Sequence, residues 1–68
     1  MKVNYNKLWK LLIDNNMKKM DLLNAAKLST NTLSKLGKNE IVSTEILIRI
    51  SKFFKCGIDD IMEIVDEI

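Results

Sequence analysis

The sequence predicts an all-α fold, a compact domain of five short helices. Three observations predict it: apolar residues recur at helical spacing, proline is absent, and only two glycines occur in 68 residues. The hydrophobic share of 47% indicates a packed core and not a disordered tail. No segment has the pattern of a strand, and no repeat or linker divides the chain. Residues 1–68 are therefore expected to form a single domain.

The first two predicted helices occupy residues 5–15 and 18–26. An apolar face with i, i+3, i+4 and i+7 spacing marks the first helix, which is expected to end at Asn15-Asn16. The second, shorter helix contains Leu22 and begins among lysines. The apolar face of the first helix consists of Tyr5, Leu8, Trp9 and Leu12. This spacing favours a core position for Trp9 over an exposed stacking role.

Three more helices are predicted over residues 30–36, from Ser43 to Cys56, and over 58–64. Ser29 and Ser43 precede the third and fourth helices, where a hydroxyl caps the exposed amides of the first turn. Gly37 and Gly57 are expected to end those two helices. The core-facing positions are Leu33 and Leu36 in the third helix, Ile46, Leu47, Ile50, Phe53 and Phe54 in the fourth, and Ile61, Met62 and Val65 in the fifth.

The charged residues are unevenly distributed along the chain. Residues 1–40 carry eight lysines against three acids, whereas residues 41–68 carry three bases against six acids. A basic half favours a polyanionic partner, and an acidic half favours a surface that faces away from it. The alternative interpretation of the lysines is an ordinary solvated face.

The residue inventory gives little support for catalysis. Histidine is absent, and the single cysteine, Cys56, has no evident base and is interpreted as a small core residue. The chain has neither a glycine-rich phosphate loop nor a cluster with metal-ligand spacing. Asp59, Asp60 and Glu63 are interpreted as the start and the solvent face of the fifth helix. We expect no enzymatic activity, no metal, no cofactor and no small-molecule ligand.

The sequence also gives no indication of a membrane location. No apolar run approaches the roughly 20 residues that span a bilayer, and the N-terminus lacks the apolar segment of a signal peptide. One cysteine cannot form an internal disulfide, which is consistent with a reducing compartment. A soluble, cytoplasmic protein is therefore expected.

The turn between the second and third helices points to a binding surface. Only Lys27-Leu28-Ser29 joins the two helices, and so short a turn sets them at a steep angle. If Leu33 and Leu36 face the core, the polar side of the third helix faces solvent. That side consists of Thr30, Asn31, Ser34 and Lys35. A helix with such an outer face has the width and the hydrogen-bonding groups to enter the major groove of DNA.

The segment MKKMDLLNAAKLSTNTLSKLGKN, residues 17–39, resembles the helix-turn-helix of Cro-like phage repressors and of the xenobiotic-response-element (XRE) regulators of bacteria. The first helix and the S-x-E-I-L opening of the fourth, residues 43–47, also lie where that family has them. The resemblance implies a lambda-repressor-like fold with a helix-turn-helix over about 18–37. The implied recognition helix spans about 30–36.

The resemblance also implies roles for individual residues. Base edges would be read by Thr30, Asn31 and Lys35. Phosphate contacts would come from Lys18, Lys19, Thr32, Ser34, Lys38 and Asn39. The chain departs from the family pattern at Lys27, where glycine is usual, which predicts a left-handed backbone there or a shifted turn. It also departs at Leu12 and Gly37, where an arginine–glutamate pair is frequent, and we interpret this as an apolar replacement of that pair.

These observations predict a sequence-specific transcriptional regulator that binds double-stranded DNA. A homodimer is expected, at least on DNA, because one short helix seldom supplies enough specificity. The apolar C-terminal residues that would form the dimer contact are Ile58, Ile61, Ile64, Val65 and Ile68. The alternative is a protein-binding module of the same fold, an antitoxin or an antagonist of another regulator. The lysine-rich composition is typical of a low-GC bacterium.

Overall fold

A computed structural model describes residues 2–65 of the chain, and within them four α-helices pack around one core beside a two-stranded sheet. The elements in chain order are β1 (Lys2–Asn4), α1 (Asn6–Asp14), α2 (Lys19–Ala25), α3 (Thr30–Gly37), α4 (Thr44–Phe54), a 3₁₀ turn (Ile58–Asp60) and β2 (Glu63–Val65). The first four predicted helices are confirmed. Their ends differ from the predicted ends by at most two residues.

The predicted fifth helix is wrong. Residues 58–64 form the 3₁₀ turn and then extend into β2, which pairs antiparallel with β1 so that Val3 lies opposite Ile64. The pairing satisfies backbone groups of both strands, and this long-range stabilisation outweighs the local apolar spacing from which the helix was predicted. The fold is therefore mostly helical, with a small sheet that joins the two ends of the described chain.

All four helices and β1 contribute buried side chains to the core. The buried apolar residues are Val3, Tyr5, Leu8, Leu12, Leu22, Ala26, Leu28, Leu36, Leu47, Ile50 and Ile61. Trp9 lies at the edge of this core, half-buried, so its predicted core position is only partly correct. Phe53 was predicted to be buried but is 44% exposed, and its ring stacks edge-on against Phe54 at 5.0 Å. Ser51 is buried instead, which shows that α4 is rotated about its axis relative to the predicted stripe.

All four helices end in the same way, and none of them uses glycine to do so. Residues with positive φ follow the helices: Asn16 (54°), Lys27 (55°), Asn39 (58°) and Lys55 (56°). After each of them the next N–H donates to the carbonyl five residues earlier, for example Met17 to Leu12 at 2.8 Å and Leu28 to Leu23 at 2.9 Å. These are Schellman-type ends, and they satisfy carbonyls that a helix end leaves free. Of the two alternatives predicted for Lys27, the left-handed backbone is thus the one observed, whereas Gly37 and Gly57 have negative φ.

Replacing Lys27 by glycine is expected to stabilise the fold. The left-handed conformation costs a residue with a Cβ roughly 1–3 kcal/mol, whereas the freedom of glycine in the unfolded chain costs roughly 0.4–1 kcal/mol. We expect Lys27→Gly to raise the free energy of unfolding by about 1 kcal/mol in urea denaturation. The matched control is Lys38→Gly, because Lys38 has a φ of −98° and relieves no strain. Equal destabilisation by Lys27→Gly and Lys38→Gly would contradict backbone strain at Lys27.

Tyr5 connects the start of α1 to the loop that follows α3. Its side chain is fully buried, and its hydroxyl donates to the Glu40 carbonyl at 2.6 Å. Its backbone N–H donates to Oδ1 of Asn39 at 3.3 Å. These contacts span more than 30 residues and hold the C-terminal end of α3 against the core.

Tyr5 should make stability fall at alkaline pH. Burial raises the pKa of its hydroxyl, and the Val42 backbone lowers that pKa in part. Because the folded-state pKa is raised, the stabilisation is complete below the unfolded value of about 10 and is lost as pH rises through the folded value. Tyr5→Phe should cost about 0.5–1.5 kcal/mol at neutral pH, and this difference should shrink above about pH 10. Urea denaturation of both proteins at each pH measures it. If the difference in free energy of unfolding between the wild-type protein and Tyr5→Phe stays constant with pH, the Tyr5 hydroxyl is not the group responsible.

Candidate nucleic-acid interface

The third helix carries one buried and one exposed face. The Ser29 hydroxyl accepts a hydrogen bond from the Thr32 amide at 3.1 Å, which confirms the predicted N-cap. Leu36 is fully buried and Leu33 half-buried, so the predicted inner face is confirmed. The predicted outer residues Thr30, Asn31, Ser34 and Lys35 are all exposed.

The turn between α2 and α3 is fixed from two sides. Leu28 is buried beneath it. From α4, Nη1 of Arg49 donates to the Lys27 carbonyl at 3.4 Å, while Nη2 of the same residue binds Glu45 at 2.8 Å. Sequence reasoning missed the role of Arg49, because the 22 residues that separate it from Lys27 leave no local signal. The orientation of α3 thus depends on core packing and on this contact.

Thr32 and Asn39, two of the predicted phosphate-contacting residues, make side-chain hydrogen bonds within the fold. The Thr32 hydroxyl lies 3.0 Å from that of Ser29 and belongs to the cap of α3. Oδ1 of Asn39 accepts from the Tyr5 amide, so only the Nδ2 group of Asn39 is left to donate. Both residues lie at an end of α3, where a groove-binding helix passes the DNA backbone.

The lysines of the predicted interface are exposed. They are Lys18 and Lys19 at the start of α2, Lys35 in α3 and Lys38 directly after it. The carboxylate of Asp21 accepts from the Lys18 amide at 2.8 Å, which stabilises the start of α2 and places one negative charge beside these lysines. The four exposed lysine side chains thus supply the positive charge of this region.

Lys19 and Trp9 make a contact that the sequence did not reveal. The Lys19 ammonium lies 4.7 Å from the centroid of the indole ring, which is cation–π distance. The same ammonium would lie 4.0 Å from a Cβ atom at Gly37, at the end of α3. A tryptophan at the edge of an apolar helix face near a lysine-rich segment is the signal that was available, although it does not name the partner.

Other kinds of site find no support in the described residues. Residues 2–65 contain no group of three or more His, Cys, Asp or Glu side chains placed to bind a metal ion. No helix within this part of the chain is long and apolar enough to cross a membrane. The Cys56 thiol is half-buried, and its pKa is raised by burial and by the nearby Asp60 and Asp59 carboxylates.

Two helices joined by a short turn, the second of them capped, polar-faced and packed on a four-helix core, define a helix-turn-helix DNA-binding domain. The chain belongs to the Cro/C1-type HTH DNA-binding domain family, whose family model matches residues 7–67. A crystal structure of the transcriptional regulator VanUg (form II) is similar to it, with a TM-score of 0.92 and 50% sequence identity. That similarity covers 97% of this chain and 88% of the VanUg chain. No curated protein sequence matches the chain significantly.

The family membership confirms the predicted resemblance and the general function. The chain is a helix-turn-helix DNA-binding protein of the transcription-regulator type, a class that is generally non-enzymatic. Which residues touch the bases, and which touch the phosphates, stays a prediction.

Proposed function

We propose that this protein is a sequence-specific transcriptional regulator that reads the major groove of duplex DNA with α3. The observation that carries the proposal is the two-sided nature of this helix. Leu36 anchors one side in the core, while the four polar side chains on the other side are exposed. A helix held in this way can enter a DNA groove while its apolar side stays packed against the core.

The proposed base-reading residues are Thr30, Asn31 and Lys35. An amide such as that of Asn31 can donate to and accept from an adenine edge, and a lysine such as Lys35 donates to the acceptors of guanine. Thr30, at the first position of α3, presents a hydroxyl and a methyl group to a neighbouring base. Successive turns of the helix thus offer chemically different groups, which is what sequence discrimination requires.

The proposed phosphate contacts flank this reading face on both sides. They are Lys18, Lys19, Thr32, Ser34, Lys38 and Asn39. The lysines supply affinity that does not depend on sequence, and the hydroxyls and the amide help to set the register on the backbone. Asn39 is suited to set the register, because its bond to the Tyr5 amide fixes its side chain at the end of α3.

We further propose that the protein binds as a homodimer to two half-sites about one helical turn apart. The apolar C-terminal surface is smaller than the sequence predicts, because Ile61 is fully buried. Ile64, which is 60% exposed, lies on β2 beside the half-buried Ile58 and Met62, and these three residues are the proposed contact. Ile68 lies outside the described residues.

A protein partner is the second candidate function, and exposed apolar side chains outside α3 favour it. Ile48 and Phe53 on α4 are 43% and 44% exposed, and large exposed apolar side chains can take part in a protein contact. Such a partner could bind the DNA-bound protein as well as the free one. A protein partner is therefore compatible with the proposed DNA binding.

The salt dependence of binding tests the proposed function. Each neutralised phosphate contributes about −0.9 to the slope of log K against log salt, so three phosphate-binding lysines give about −3 per protomer. Fluorescence anisotropy of a labelled duplex over about 50–200 mM salt measures this slope. A steep negative slope supports the phosphate contacts that the proposal requires, whereas a flat slope or no binding would refute it.

A further inference from the structure

Among residues 2–65, the Lys19 ammonium has an aromatic partner and no carboxylate at ion-pair distance. It lies 4.7 Å from the centroid of the Trp9 ring. Within residues 2–65 it forms no ion pair with a carboxylate, in contrast to Arg49, which binds Glu45 at 2.8 Å. The cation at the start of α2 is therefore held in place while its full charge remains.

The position of this cation is set by three elements. Trp9 projects from α1 and is half-buried, so the ring itself is fixed by packing. Lys19 is the first residue of α2, and its ammonium reaches the space beside Gly37 at the end of α3. A Cβ atom at Gly37 would lie 4.0 Å from the ammonium, which is ordinary van der Waals contact. The ammonium thus lies near both ends of the helix-turn-helix, which are the first residue of α2 and the last residue of α3.

An indole face differs from a carboxylate as a partner for a phosphate-binding lysine. The ring attracts the cation through its quadrupole, so the ammonium keeps its positive charge and its remaining hydrogen-bond donors. A carboxylate in the same place would neutralise the cation and compete with the phosphate. The ring also restricts the lysine rotamers before binding, which lowers the entropy lost on contact.

We propose that Trp9 is a positioning residue that holds the Lys19 ammonium ready to contact a backbone phosphate of duplex DNA. This inference rests on the proposed function. Trp9 acts through Lys19 and makes no base contact of its own. Its removal should therefore weaken binding only while Lys19 is present.

A double-mutant cycle tests this coupling. Trp9→Leu should weaken duplex binding about two- to fivefold, the range that corresponds to a cation–π contact. The same substitution should have no further effect in a Lys19→Met background. Trp9→Leu should also reduce the magnitude of the salt slope, by at most about 0.9, because one phosphate contact is weakened. A purely structural role for Trp9 would leave the slope unchanged.

The control substitution is Lys10→Met, which removes one exposed positive charge from α1 beside Leu11 and Asp14, away from the indole. In that background, Trp9→Leu should keep its full effect. Trp9→Phe, which retains an aromatic face, should restore part of the affinity and of the slope. Circular dichroism of each variant establishes that it is folded before its affinity is compared.

Fluorescence supplies an independent measurement, because Trp9 is the single tryptophan of the chain. Duplex binding should change its emission in the wild-type protein, and this change should be lost in Lys19→Met at saturating DNA. Equal effects of Trp9→Leu with and without Lys19 would overturn the inference alone. If the wild-type protein binds no duplex at all, the proposed function fails and this inference fails with it.

Discussion

Asn31→Ala and Lys35→Ala are each expected to relax the sequence preference of the protein at one base position. Both side chains are exposed on α3, and both can make hydrogen bonds to purine edges that alanine cannot make. Each lost base contact should cost about 1–3 kcal/mol on the preferred duplex, which is roughly 5- to 150-fold in affinity. On a duplex mutated at the contacted base pair, the same substitution should cost little. Competition titrations with the two duplexes measure the difference.

The control for these substitutions is Lys38→Ala. Lys38 lies just after α3 and is proposed to contact phosphate, so its loss should weaken binding to all sequences alike and reduce the salt slope by about 1. If Asn31→Ala and Lys35→Ala behave in the same uniform way, they do not read bases. The recognition surface would then have to be sought elsewhere on the domain.

Ile61→Ala is expected to be among the most destabilising single substitutions in the chain. Ile61 is fully buried between the 3₁₀ turn and β2, and truncation of such a side chain costs about 2–5 kcal/mol. A chain of this length has a total stability of roughly 3–10 kcal/mol. The variant should therefore be close to unfolding at room temperature. Urea denaturation followed by circular dichroism measures the loss.

Ile64→Ala provides the matched comparison, since Ile64 is only three residues away but 60% exposed. We expect it to change monomer stability by less than about 0.5 kcal/mol, because exposed substitutions rarely do more. A helix over residues 58–64 would place both side chains on one face and would make the two losses similar. Equal losses would therefore argue against the pairing of β1 with β2.

The helices could be predicted because their signals are local. Apolar spacing located α1 and α4, and the serine hydroxyls at Ser29 and Ser43 marked the starts of α3 and α4. β1 and β2 could not be found in this way. A strand of three residues is too short to show alternation, and its stability comes from a partner about 60 positions away in the chain.

The helix ends show a second limit of local reasoning. Glycine was expected to end α3 and α4, but the left-handed positions are occupied by Asn39 and Lys55. Asparagine adopts this backbone readily, whereas lysine does so only when the surrounding structure compensates for the strain. The composition of a turn therefore does not locate its left-handed residue.

The polar face of the candidate site was predictable, but its supports were not. Exposure of Asn31 and Lys35 follows from the inward direction of Leu33 and Leu36, which lie on the opposite face of α3. The contacts of Trp9 with Lys19 and of Asn39 with Tyr5 join distant segments, and only the folded chain brings them together. These contacts position the side chains of the candidate site and do not change which hydrogen-bonding or charged groups it offers.

The most direct test of the central claim is selection from a randomised duplex library. The wild-type protein is compared with a variant in which Thr30, Asn31 and Lys35 are all alanine. We predict that the wild-type protein enriches a defined motif, palindromic if a dimer binds, and that the triple variant enriches none. The same motif from both proteins would contradict base reading by α3, and no enrichment by either would favour a protein partner.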